Sequence, residues 1–122
     1  NELMRLSMIR AEWCRLLAER GGSGHEPAQL FLLGLFSLLD AMLDMPMAEI
    51  TASLPLSVAI VTALNSGTGP LAPYLQAVQA YEQGNFLGCV EALQQLAIDS
   101  ESMISTYIKA LAWADQLDPY LQ

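Results

Sequence analysis

The stretch from Pro27 to Met45, PAQLFLLGLFSLLDAMLDM, constrains this chain more than any other. Between Leu30 and Leu43 its clearly polar residues are Ser37 and Asp40. On a helix turning about 100° per residue, Gln29, Ser37, Asp40 and Asp44 fall within about 80° of one another, with Leu33 among them. The rest of the circumference carries Leu30, Phe31, Leu32, Leu35, Phe36, Leu38, Leu39, Met42 and Leu43. A helix apolar over most of its girth is either surrounded by other helices or embedded in a membrane. The uncharged run over 27–39 is 13 residues, short of the roughly 17–25 needed to span a bilayer. The stretch is therefore expected to be one buried helix, 27–45, with the rest of the chain packed around it.

That expectation sets the scale of the domain. A chain of 122 residues is one domain by length and can bury a core without disulfide staples. Charged residues are 15% of the sequence, against about 25% in an average soluble protein. A surface so poor in charge is expected to be covered in part by a partner. The first residue is Asn rather than Met, and the chain is expected to be a piece of a longer protein. The net charge is −8, unevenly spread. Arg5, Arg10, Arg15 and Arg20 lie in the first 20 residues, and Lys109 is the sole base after them. Residues 21–122 carry ten acids against one base. Such a surface repels phosphates and anionic membranes, which argues against nucleic acid and lipid as partners. Cys14 and Cys89 sit in apolar helical patterns and read as reduced core residues. No signal peptide or membrane span is visible, so the expected compartment is the cytoplasm.

The remaining elements read as helices. Residues 2–20 carry Leu6, Ile9, Trp13, Leu16 and Leu17 at helical spacing. Arg15, with Glu12 and Glu19 on either side, forms a solvated charge ladder. Gly21-Gly22 stops this helix through the left-handed conformation. Further helices are expected over about 46–53, from Ser57 to Leu64, over 71–83, over 86–97 and over 99–117. Ser57 and Asn85 act as caps, and the turn NSGTGP at 65–70 contains two glycines and a proline. Leu96-Ala97 is expected to be buried, and Asp118-Pro119 to end the last helix. No stretch alternates as a strand would, so the fold class is all-α with six or seven helices.

The search for chemistry returns little. His25 is the single histidine and lies in a loop beside Glu26, and the two cysteines are far apart, so no set of zinc ligands converges. Asp40 and Asp44 stand one turn apart and could touch a hard cation, but such a site needs more oxygens than these. They read as an exposed polar stripe. Ser37 has no histidine partner, and the turn at 67–70 lacks the lysine of a phosphate loop. No catalytic, cofactor-binding or metal residue is assigned.

Five segments carry a resemblance: LMRLSMIRAEWCRLLAE at 3–19, FLLGLFSLLDAMLDMPM at 31–47, LPLSVAIVTALNSGTGPL at 54–71, AYEQGNF at 80–86 and ALAWA at 110–114. Together they resemble the C-terminal half of an HDOD domain, the HD-related output domain of bacterial signalling proteins, in the form that follows an EAL-type domain. The resemblance covers nearly all of the chain, 1–122. It implies a compact orthogonal helical bundle like that of HD domains, with the family's first half preceding Asn1. HD phosphohydrolases have a helix reading like G-L-L-H-D-I-G, whose His-Asp pair ligates metal. Here Gly34-Leu35-Phe36-Ser37-Leu38-Leu39-Asp40 puts Ser37 at the place of the histidine and Leu38 at that of the aspartate. The resemblance thus implies a scaffold without phosphohydrolase chemistry and without a metal, used for signalling through a protein partner or the chain's own upstream domain. Two alternatives stand beside it. The chain could be part of a cyclic di-GMP phosphodiesterase whose activity lies in an upstream EAL domain. It could also be a peptide binder, because GNFLGCVEALQQLAID at 84–99 resembles the second helix of a tetratricopeptide repeat. Candidate contact faces lie around Trp13 and around Tyr120-Leu121.

Overall fold

The computed structural model describes residues 1–121. Among them every regular element is helical: α1 (Glu2–Arg20), α2 (Pro27–Phe36), α3 (Leu39–Leu43), α4 (Met47–Ala52), α5 (Val58–Ser66), α6 (Ala72–Glu82), α7 (Phe86–Gln95) and α8 (Glu101–Leu121). With α3 counted as the bent continuation of α2 there are seven, matching the all-α bundle that the patterns predict.

The hub of this bundle is α1. It packs against α2, α3, α6 and α8. Asn1 caps it, its side-chain oxygen accepting from Leu3 N at 2.9 Å. Its residues Ile9 to Cys14 are all buried, together with Leu17 and Ala18. That run goes right round the helix, so α1 is enclosed over this part of its length. At its end Gly21 is not left-handed as expected but extended, with φ −80°. A Cβ there would sit 3.4 Å from both Ile98 and the Leu96 carbonyl, an ordinary contact distance, so neither space nor backbone angle demands glycine.

The expected single helix 27–45 is broken, and it is not the centre. The break falls after Ser37, which keeps right-handed angles at φ −64°, ψ −15°, while Leu38 leaves them at φ −117°, ψ 8°. The cause is local. Ser37 Oγ donates to the Gly34 carbonyl at 2.7 Å, and Ser37 N donates to the same oxygen at 3.3 Å. That carbonyl would otherwise serve the Leu38 N–H, so the serine competes with the helix's own ladder. The buried residues of α2 are Leu30, Leu33 and Gly34, and Ser37 follows them on the side toward α1. Asp40 and Asp44, read as an exposed polar stripe, are exposed. The more apolar remainder is only partly covered, with Leu43 53% and Met45 39% exposed.

Gly34 explains how α2 lies so close to α1. A Cβ there would meet the Arg10 carbonyl oxygen at 2.4 Å and Ala11 Cα at 2.7 Å. Those atoms are backbone and cannot swing away. The other elements follow their local signals. Ser57 Oγ accepts from Ile60 N at 3.3 Å and Asn85 Oδ1 from Gly88 N at 2.9 Å, each capping its helix. Asp99 Oδ1 accepts from Ser102 Oγ at 2.8 Å and from Ser102 N at 3.0 Å as α8 begins, and these bonds hold its carboxyl below the usual aspartate range. Helices α6 and α7 form a hairpin through Gly84 at φ +74°. The chain then leaves it, and α8 packs on α1 instead, so the tetratricopeptide-like segment belongs to a lone hairpin. Ala97, expected buried, is exposed in the turn after α7 at φ +55°.

Pro119 does not end α8, which continues to Leu121. So near a terminus its missing N–H costs a single ladder bond. Arg5 also ties this last stretch to α1, reaching Asp115 at 2.7 Å and Asp118 at 2.9 Å. Among the described residues no helix is long and apolar enough to cross a membrane.

Candidate functional site

The position that the heptapeptide singles out lies at the bend between α2 and α3, facing α1. Ser37 is held from two sides. Its hydroxyl donates to the Gly34 carbonyl, and Arg10 Nη1 donates to it at 3.1 Å. Arg10 comes from the enclosed part of α1 and is 8% exposed. It also grips Glu82 at the end of α6 with two bonds, Nε to Oε2 at 3.0 Å and Nη2 to Oε1 at 2.7 Å. The guanidinium fork matches a carboxylate in this bidentate way, and the pairing lets a charge lie in a largely buried position. Three helices are thereby joined at one point. Sequence reasoning did not predict this link, because Glu82 is 72 residues from Arg10. The available signal was Arg10 itself, flanked by Ile9 and Ala11 in a stripe that had to be buried.

The α1 and α6 residues beside this point are buried. Cys14 lies one turn along α1 and is completely buried. Burial pushes its thiol up to about 12, although the nearby Arg10 pulls the other way. A thiol held so high is not a nucleophile at neutral pH. Tyr74 on α6 is also buried, which raises its phenol. Its hydroxyl lies 3.0 Å from His25 Nδ1. The loop histidine is therefore half-buried and fixes the α1–α2 connection to α6. Trp13 is fully buried rather than offering a contact face. It packs on Tyr81 at 5.5 Å edge-on and on Tyr107 at 4.6 Å between ring centroids, and its Nε1 finds no acceptor among the described residues. Tyr120 is 83% exposed, while the side chain of residue 121 lies outside the described residues.

Asp40 lies in α3 and Asp44 is the residue that closes it. Both are exposed. Asp40 Oδ1 accepts from Ala41 N at 2.9 Å. Asp44 terminates α3 in the left-handed region at φ 51°, a conformation that Asp tolerates better than most residues. Among the described residues no three His, Cys, Asp or Glu side chains converge as a metal site would require. The ligand set of an HD centre does not fit here: Ser37 is engaged by Arg10, Leu38 has no donor atom, and His25 is bound to Tyr74. The so-called charge ladder on α1 is less solvated than its spacing implies. Glu12 is 8% exposed and takes Arg15 in two bonds of 2.7 and 2.8 Å.

Two apolar depressions flank the beginning of α1. One, of about 360 Å³, is lined by Glu2, Leu3, Arg5, Leu6 and Ile9, all on α1. The other, of about 300 Å³, runs between helices and is lined by Met4, Ser7 and Met8 of α1 with Leu35, Phe36, Leu39 and Met42 of the α2–α3 bend. The bend at Ser37 creates this second groove, because it swings α3 away from the line of α2.

Fold and site thus define a helical module whose most polar buried point is the link of Arg10 with Glu82 and Ser37. The chain is 32% identical over 118 residues, 97% of its length, to the cyclic di-GMP phosphodiesterase CdgJ of Vibrio cholerae. It is 36% identical over 117 residues, 96% of its length, to the uncharacterized protein YuxH of Bacillus subtilis. It spans about a quarter of the length of these curated relatives, 27% and 28% respectively. No family model matches the chain, and no solved structure matches it significantly.

Proposed function

We propose that this chain is a non-catalytic regulatory and protein-interaction module of a bacterial cyclic di-GMP signalling protein, built like the later half of an HDOD domain. The observation that carries this reading is the state of Ser37. Where an HD enzyme would present a metal-ligating histidine, a serine closes a structural link between Arg10 and Gly34, and the adjoining Leu38 has no donor atom. The similarity to CdgJ supports the signalling context. Low surface charge and the two apolar depressions at α1 support contact with another protein surface.

Metal analysis of the purified chain, together with a cyclic di-GMP hydrolysis assay, tests the reading. The expected result is substoichiometric metal and no turnover. Stoichiometric iron or manganese with turnover overturns it.

The activity for which CdgJ is named favours a second reading. The gene product as a whole would hydrolyse cyclic di-GMP through an EAL-type domain outside these 122 residues, with the present module modulating it. Turnover by the whole gene product, with none by this chain, is the outcome that reading requires.

A further inference from the structure

We propose that the segment 38–56, which carries α3 and α4, is a flap that opens as a unit while the rest of the bundle stays folded, and that Arg10 sets where the opening stops. Among the described residues of 35–59, the buried ones are Ile50 and Thr51. No residue of α3 is buried. At five and six residues, α3 and α4 are each too short to hold a helix in water without packing. The segment draws its order from Ile50, from the partly buried Leu39 and Met42, and from one side-chain bond. In that bond Asn65 Nδ2 donates to Thr51 Oγ1 at 3.1 Å. Peeling the segment away gives up little apolar burial, which is the mark of a unit that opens below the free energy of global unfolding.

The two ends are built differently from the body. At one end Leu38 already leaves helical angles and supplies the hinge. Just before it, Ser37 is tied to α1 by Arg10 Nη1 at 3.1 Å, and Glu82 clamps the same guanidinium with two bonds. At the other end the chain turns tightly across Pro55, Leu56 N donating to the Leu54 carbonyl at 2.9 Å. Just after it, Ser57 Oγ donates to Gln29 Oε1, in the first turn of α2, at 2.7 Å. Both flanks are therefore pinned to the α1–α2 pair by side chains, and the loosely packed part lies between the pins.

Opening changes what the bundle presents. Leu39 and Met42 help to wall the groove against Met4 and Met8 of α1. The groove exists in this form while the flap is closed, and opening bares the α1 face behind it. Glu82 is the last residue of α6, so the end of that helix bears on the hinge through Arg10.

Peptide-resolved hydrogen exchange of the polypeptide as its gene encodes it tests this. Peptides over 38–56 are expected to exchange at least about a hundredfold faster than those over 9–18 of α1. Low urea should leave their rates unchanged, because the opening exposes little surface. Arg10→Met with Glu82→Leu removes the tie to Ser37 without leaving a charge unpaired. It should carry fast exchange back over 35–37, measured relative to α1 in the same molecule. Gln29→Ala, a milder change at a partly exposed position, frees the other pin. It should speed exchange several-fold at Ile60 and Val61, whose N–H groups are held by Ser57. Protection of 38–56 equal to that of α1, whether from the bundle or from another part of the polypeptide, overturns the proposal. Exchange over 38–56 that rises with urea in step with α1 does the same. Boundaries of fast exchange that move in neither variant overturn the part given to Arg10 and Ser57.

Discussion

The two halves of α1 lie in different surroundings. Its second half is sealed: Trp13, Cys14 and Leu17 are fully buried, and even Arg10 and Glu12 are 8% exposed. Its first half is open, with Leu3 37% and Met4 41% exposed and an apolar depression on either flank. The sealed half belongs to the helix that holds four arginines. The open half faces α2 and α3, which hold one acid and no base. Position in the bundle therefore does not follow hydrophobicity. Long charged side chains can lie at the centre when each finds a partner in reach, as Arg10 does in Glu82 and Arg15 in Glu12. The apolar helix left at the margin is the face on which the proposed interaction role would draw.

The sealed half should be the less forgiving of change, and Gly34→Ala tests this most severely. The added methyl would overlap the α1 backbone at 2.4 to 2.7 Å. The helices must then part, undoing the packing of Leu30 and Leu33 with it. Overpacking typically costs about 1–3 kcal/mol and occasionally more; against rigid backbone the upper end, about 3 kcal/mol, is expected. Urea denaturation should show this as a lower midpoint. A loss below about 1 kcal/mol would mean that α1 and α2 are not so tightly joined.

Glu82→Ala comes next. It leaves the Arg10 guanidinium largely buried with Ser37 as its remaining side-chain partner. Breaking a fully buried pair costs about 3–5 kcal/mol. Here Glu82 is 23% exposed at its side chain, so water can reach the site and about 2 kcal/mol is expected. Arg10→Met combined with Glu82→Leu removes both charges and should recover most of that loss, because no charge is left unpaired. A double variant as unstable as the single one would show that the link acts by packing alone.

These two sites also mark what the sequence disclosed and what it withheld. The bounds of α1 and the caps Ser57 and Asn85 were legible, because each depends on residues within one or two turns. The all-helical class was legible for the same reason. The bend at Ser37 was not. A serine in an apolar helix usually stays in the helix, and the competing bond to Gly34 is reinforced by Arg10, 27 residues away. The choice of central helix failed because the angular pattern of 27–45 was read by polarity alone. The small residue Gly34 and the partner for Ser37 make the side they share the closer-packed one. The candidate site was legible in one respect: Ser37 was singled out, but the residues that lock it, Arg10 and Glu82, come together only through the fold.

The open half should tolerate what the sealed half does not, and Met42→Gln gives the smallest expected effect. Met42 lies in the groove wall and is partly exposed in this chain. Glutamine keeps the length and flexibility of the side chain and can turn its amide to water. Substitutions at such positions usually change stability by less than about 0.5 kcal/mol, and the same is expected here by urea denaturation. A larger loss would place Met42 in the core of the isolated bundle and remove the contrast between the two halves of α1. A small loss in this chain, joined to a larger one in the whole gene product, would sharpen it. The difference would measure what this groove contributes in the whole gene product beyond the isolated bundle.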